Sequence, residues 1–114
     1  SLDPLDGPYK TNKTLEEVAD QNLKMIILTA PGERVMNPEF GVGVRNYLFE
    51  QETPFLVDEI RNNIKNQVER YASFIKIQKL NINIDSDNGV LFVQIKYAVP
   101  AGGIVSDLTI PVSA

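Results

Sequence analysis

The chain has 114 residues, 43% hydrophobic and 23% charged, the balance of one globular domain with a core of its own. Cysteine, histidine and tryptophan are absent, which excludes thiol nucleophiles, histidine acid–base catalysis, serine–histidine triads, disulfides and zinc or iron sites built on Cys or His. Eleven Lys and Arg stand against fifteen Asp and Glu without a basic cluster, and the longest aliphatic run is Met25-Ile26-Ile27-Leu28, so neither nucleic acid nor a membrane is expected as a partner.

Residues 1–13 contain Pro4, Gly7 and Pro8 and no apolar periodicity. They predict an irregular arm that gains order against another surface, with no signal-peptide core in it. A single domain is expected over 14–114. Its first helix opens at Thr14, with Glu17 in capping-box spacing, and carries an apolar stripe of Leu15, Val18, Ala19, Leu23, Ile26 and Ile27. Pro31-Gly32 ends it, because the residue before a proline is pushed out of helical geometry.

A connection over 33–44 follows, with Pro38, Gly41 and Gly43, a composition suited to unusual turns or to close approach of a partner. Residues 44–50 predict a short helix presenting Tyr47, Leu48 and Phe49. Thr53-Pro54 starts a longer one, Thr as the N-cap and Pro at the first helical position, with a stripe of Val57, Ile60, Ile64, Val68 and Tyr71.

Beyond Tyr71 the period becomes two. Ile75 and Ile77 alternate, then Leu80, Ile82 and Ile84 alternate in the opposite phase, which predicts a β-bulge at Gln78-Lys79. Asn88-Gly89 supplies a turn, and Leu91, Val93, Ile95, Tyr97 and Val99 line one face of a second strand. Residues 100–103 turn the chain again. Ile104, Leu108, Ile110 and Val112 mark a third strand, which Pro111 assigns to a sheet edge. The fold class is α+β: N-terminal helices packed on a C-terminal antiparallel three-stranded meander.

Several of these residues form a recognisable set. Thr29-Ala30-Pro31-Gly32-Glu33-Arg34, Asn37-Pro38-Glu39-Phe40-Gly41, Leu48-Phe49-Glu50 and Thr53-Pro54 resemble the signature of a contractile-tail baseplate family. Its members are wedge or sheath-initiator proteins of phages, type VI secretion systems and tailocins, historically labelled "tail lysozyme". The resemblance runs from about Gln21 to Val99. It departs after Tyr71, where the family's Glu-Pro-Arg is replaced by Ala72-Ser73-Phe74. That triplet is associated in the family with contacts to neighbouring wedge proteins, so the contact here is expected to be more apolar.

The resemblance implies a virion structural protein of the tail baseplate, assembled in the host bacterial cytoplasm. It implies several copies around the tail axis, joining other wedge proteins to the first layer of the sheath, with the tube proteins as further neighbours and no cofactor. Arg34, Glu39, Phe40, Gly41, Tyr71, Phe74, Leu108, Ile110 and Val112 are the expected protein-interface residues. The meander's open edge is a template for a strand added from the sheath.

The sharper alternative is a tail-associated, peptidoglycan-degrading enzyme, which needs two carboxylates across a cleft, with Glu39, Glu50, Glu52 and Glu59 as nominees. Fifteen acids in so small a chain bring some pair close by chance, so a non-enzymatic protein is expected. Glu39 is expected to fix its own loop through backbone amides in preference to pairing with a partner's base. Arg34 fits an intermolecular ion pair and a bridge within its own loop equally well. Tyr47, Phe49 and Phe55 read as core, and Asp85, Asp87 and Asn88 as a solvated turn, because the remaining ligands of a calcium loop are missing.

Overall fold

The structure, a computed structural model, describes residues 12–33 and 36–114. Helix α1 spans Asn12–Leu28 and buries Ala19, Leu23, Ile26 and Ile27. It begins upstream of Thr14, which therefore lies inside the first turn and not at the cap. The irregular arm expected over 1–13 falls outside the described residues, apart from Asn12 and Lys13, which are helical. Val18, expected in the stripe, is exposed together with Met25 and Leu28.

The short helix is a 3₁₀ segment, Val44–Phe49, its N-cap Gly43 in the left-handed conformation. Helix α2 spans Pro54–Tyr71. Thr53 is extended and its hydroxyl accepts from the Leu56 N–H at 3.3 Å, the cap that its place before proline predicts. The buried stripe is Leu56, Ile60, Ile64 and Val68; Val57 is only half-buried and Leu56 takes the place expected for it.

Strands β1 (Lys76–Asp85), β2 (Val90–Val99) and β3 (Ile104–Ser113) form an antiparallel sheet in that order. The register slips between Ile77 and Lys79, so Gln78 is the extra residue of the predicted bulge. One extra residue restores the inward direction, and Ile77, Leu80 and Ile82 all face the helices. Both helices pack on this inner face, α1 towards β3 and α2 towards β1. The outer face carries Asn81, Asn83, Gln94, Lys96, Asp107 and Thr109, all exposed.

A polar clasp ties α1 to the sheet through an otherwise apolar seam. The Tyr97 hydroxyl donates to Asp20 at 2.5 Å, and the hydroxyl of Ser106, Tyr97's cross-strand neighbour, donates to Glu16 one turn earlier on α1. Burial raises the Tyr97 phenol well above its ordinary value of 10.0, and the Asp20 carboxylate raises it further through its hydrogen bond and its charge. A phenol held protonated in the folded state gives a definite sign. The unfolded chain ionises as pH passes 10.0 while the folded chain does not, so stability present below that pH is lost above it. Urea unfolding is expected to show a stability plateau up to about pH 9.5 and a fall beyond it. Tyr97→Phe lowers the plateau by about 1 kcal/mol and removes part of the alkaline fall. An unchanged alkaline slope in the variant would exclude Tyr97 as its source.

Candidate functional site

The connection between α1 and the 3₁₀ segment lies across both helices and is held by backbone and side-chain bonds. The Val42 N–H donates to the Ile26 carbonyl at 2.9 Å, and the Gly32 N–H donates to the Pro38 carbonyl at 2.8 Å. On the α2 side one carboxamide makes two bonds. Gln67 accepts from the Gly41 N–H at 2.7 Å and donates to the Glu39 carbonyl at 3.0 Å. Gly41 has φ +103, and a Cβ built on it would lie 2.1 Å from the Thr29 carbonyl oxygen, so the position requires glycine.

The neighbouring residues complete the contact. Arg70 donates to the Glu39 carboxylate at 2.7 Å and lies 5.1 Å over the Tyr71 ring. The hydrogen bond to Glu39 raises the guanidinium's pKa, with the Tyr71 and Glu39 charges adding to it. The Tyr71 hydroxyl donates to Asn37 at 3.2 Å, and the rings of Tyr71 and Phe40 meet edge to face at 5.0 Å. Glu39, Phe40, Gly41 and Tyr71, expected at a protein interface, are thereby brought to one place on α2. Glu39 was expected to fix its loop through backbone amides; among the described residues its carboxylate pairs with the chain's own Arg70 on α2. Gln67 and Arg70 were not singled out from the sequence, and Asn37 only within its motif, because polar partners some thirty positions apart leave no periodic signal.

The other expected residues are dispersed. Phe74 is exposed just beyond α2, while Leu108 is half-buried and Ile110 and Val112 are core residues at 3% and 4% exposure. These last three belong to β3, so what β3 offers a partner is its backbone edge and not those side chains. Arg34 lies outside the described residues. The aromatic cluster expected in the core divides: Tyr47 is half-buried and hydrogen-bonded by Asn63 at 2.5 Å, whereas Phe49 and Phe55 are exposed. Asp85 accepts from the Asn88 N–H and side chain, which closes the hairpin as a turn, and among the described residues no group of acids could hold a metal ion. No helix among them is long and apolar enough to cross a membrane.

The two edges of the sheet differ. Bonded and non-bonded pairs alternate in an antiparallel ladder, and the Ala114 N–H donates to the Gly89 carbonyl at 3.2 Å. Even-numbered residues of β3 therefore bond to β2, and Val105, Asp107, Thr109, Pro111 and Ser113 turn their backbone outward. Pro111 thus removes a donor from the free edge and none from the sheet. Among the described residues no hydrogen bond reaches that outward backbone. On the β1 edge the outward Leu80 carbonyl is already taken, accepting from the Arg61 Nε at 3.3 Å.

Two helices on one face of a three-stranded meander, with a glycine loop clamped to the second helix, define a small α+β module. The family model described as baseplate wedge protein gp25 matches residues 13–103, and the chain belongs to that family. Baseplate wedge protein gp25 of Enterobacteria phage T4 is 37% identical over 76 residues, covering 65% of this chain and 56% of the T4 protein. The chain thus spans little more than half the length of that relative. A crystal structure from Geobacter sulfurreducens, named provisionally as a tail lysozyme, superposes with a TM-score of 0.76 at 26% identity over 87% of this chain and 90% of that one. A chain of the anti-feeding prophage (AFP) baseplate, from cryo-EM with six-fold symmetrisation, gives a TM-score of 0.64 at 28% identity over 77% of this chain and 70% of that one. The chain is a baseplate-type structural subunit by family.

The clamp makes a test. Gln67→Leu keeps the side chain's bulk but leaves the buried Gly41 N–H without its partner, while water can replace the bond to the exposed Glu39 carbonyl, and it is expected to cost about 1–3 kcal/mol in urea unfolding. Arg70→Ala, at an exposed ion pair, is expected to change stability little. Limited proteolysis is expected to cut the 36–43 loop faster in the Gln67 variant alone.

Proposed function

We propose that the chain is a non-enzymatic adaptor that joins wedge proteins to the first sheath layer, and that a sheath segment adds to the free edge of β3. The observation that carries this reading is the difference between the two sheet edges. β3 offers outward N–H groups at Val105, Asp107, Thr109 and Ser113, while Arg61 occupies the β1 edge at Leu80. A strand added there gains main-chain hydrogen bonds and alternate side-chain contacts on the exposed outer face. The loop clamped at Gln67 and the apolar Phe74 belong with α2, which packs towards β1 at the other side of the sheet order, and they serve the wedge partners. Other copies of the subunit, and tube proteins as neighbours, fit the same assembly.

The test is co-sedimentation with the sheath protein of the same particle. Thr109→Pro removes one outward donor at a position that bonds to nothing within the sheet, as Pro111 already does naturally. Sheath binding is expected to fall about three- to tenfold, the worth of one backbone hydrogen bond, with the thermal midpoint nearly unchanged. Thr109→Val, which keeps the N–H, is expected to bind as the parent does. Equal binding by all three forms would move the sheath contact away from this edge.

The name of the Geobacter sulfurreducens structure favours a second reading, a muralytic activity. A cleft lined by Tyr47, Leu48, Glu50, Glu52, Leu56, Ile84, Ser86 and Gly89 gathers two of the nominated carboxylates. Glu52 there accepts a hydrogen bond from the Ser86 hydroxyl, which orients it as a structural group. Purified peptidoglycan is expected to release no glycan fragments on incubation with the chain. Release that disappears in Glu50→Gln or Glu52→Gln, with folding intact, would establish the enzyme instead.

A further inference from the structure

The end of the molecule that holds the hairpin tip and the start of α2 combines two features that the fold does not need. Phe49 and Phe55 flank the Glu50-Gln51-Glu52 connection and are 73% and 80% exposed, although each ring would gain about 2 kcal/mol from burial. Most of the ionisable side chains around them are acids, with Arg45 and Arg61 at the borders of the first segment. Residues 46–60 contain Glu50, Glu52, Asp58 and Glu59 with no Lys or Arg, and residues 81–90 contain Asp85 and Asp87 with none either. The Ser86 hydroxyl, bonded to Glu52, draws the two segments together. Counted with the bordering Arg45 and Arg61, this end carries a net charge of −4, the same as the whole chain, and the remainder is neutral. Of the six carboxylates, Asp58 has a local ion-pair partner, Arg61 at 3.1 Å.

The bland account of acids near a helix start is their favourable place beside the helix dipole. That covers Asp58 and Glu59 in part, and it leaves the hairpin acids and both exposed rings unexplained. Burial first, then the charges of Glu59 and Glu50, push the Tyr47 phenol up against the opposing hydrogen bond from Asn63, as expected where negative potential accumulates.

We propose that this end docks a segment of a neighbouring baseplate protein that carries Lys or Arg beside aliphatic or aromatic side chains. The rings supply the apolar anchors typical of interface hot spots, and an arginine placed over either ring gains a cation–π contact. The carboxylates select a basic partner and steer its approach. A second copy of this chain would set acid against acid, so self-association at this end is disfavoured. The inference rests on the baseplate reading above.

The test uses particles assembled with the full chain, carrying the photo-reactive residue benzoylphenylalanine at position 49 or 55. Irradiation is expected to join the chain to one peptide of another protein, with Lys or Arg within a few residues of its apolar side chains. Glu50→Lys combined with Glu52→Lys is expected to lower the cross-link yield at position 49 at least tenfold, with the circular dichroism spectrum unchanged. A cross-linked peptide lacking basic residues, a cross-link to a second copy of the chain, or a yield indifferent to the charge reversal would overturn the proposal. A chain present in the particle but without a cross-link at either position would overturn it alone. A chain absent from every particle would overturn the baseplate reading with it.

Discussion

What the loop between the first two helical elements offers depends on the carboxamide of Gln67. A loop rich in glycine and proline has no ladder in which to satisfy its peptide groups, and a buried peptide group left without a partner is costly. Gln67 answers one donor and one acceptor two residues apart, and the Ile26 carbonyl answers the next donor along. Stitched to both helices, the loop buries Phe40 and Val42 in the common core. The stitching also explains the demand for glycine at position 41, where the backbone passes within a Cβ's reach of the Thr29 carbonyl.

Much of this architecture was legible in the amino-acid order, and the reasons are local. The Thr53-Pro54 cap, the phase change at Gln78-Lys79 and the alternation of Leu91 to Val99 each act within a few residues, where backbone geometry and burial period leave a direct trace. The start of α1 was misread, because a capping-box spacing at Thr14 looks the same whether or not an earlier turn exists. The site was legible in part: Glu39, Phe40, Gly41 and Tyr71 were expected at an interface, but nothing announced that they meet one another. Pairings such as Arg70 with Glu39 and Tyr71 with Asn37 join distant positions through the packing of whole elements. Phe49 and Phe55 were read as core for the ordinary reason that phenylalanine is usually buried, and their exposure is the larger surprise.

The molecule has a direction built into it. One sheet edge is capped at Leu80 by an arginine reaching from α2, and among the described residues the other is open along most of its length. One end is strongly acidic and displays two phenylalanine rings, while the rest of the surface is mixed in charge. An assembly built from repeated copies benefits from such asymmetry, because each face then accepts a different neighbour. The family to which the chain belongs is one of baseplate wedge proteins, and a small module with three distinct faces suits that setting.

Pro111 has a consequence for the chain before it meets any partner. An edge strand with a full row of outward peptide groups would pair with its own kind at high concentration, edge to edge, and seed aggregates. Two β3 strands brought together antiparallel would face each other with a missing donor on both sides of the join and with Asp107 charges close by. Homotypic pairing is therefore penalised twice per encounter, whereas a foreign strand meets the gap only once. A single imino acid at an otherwise regular edge thus disfavours self-recognition more than recognition of a foreign strand.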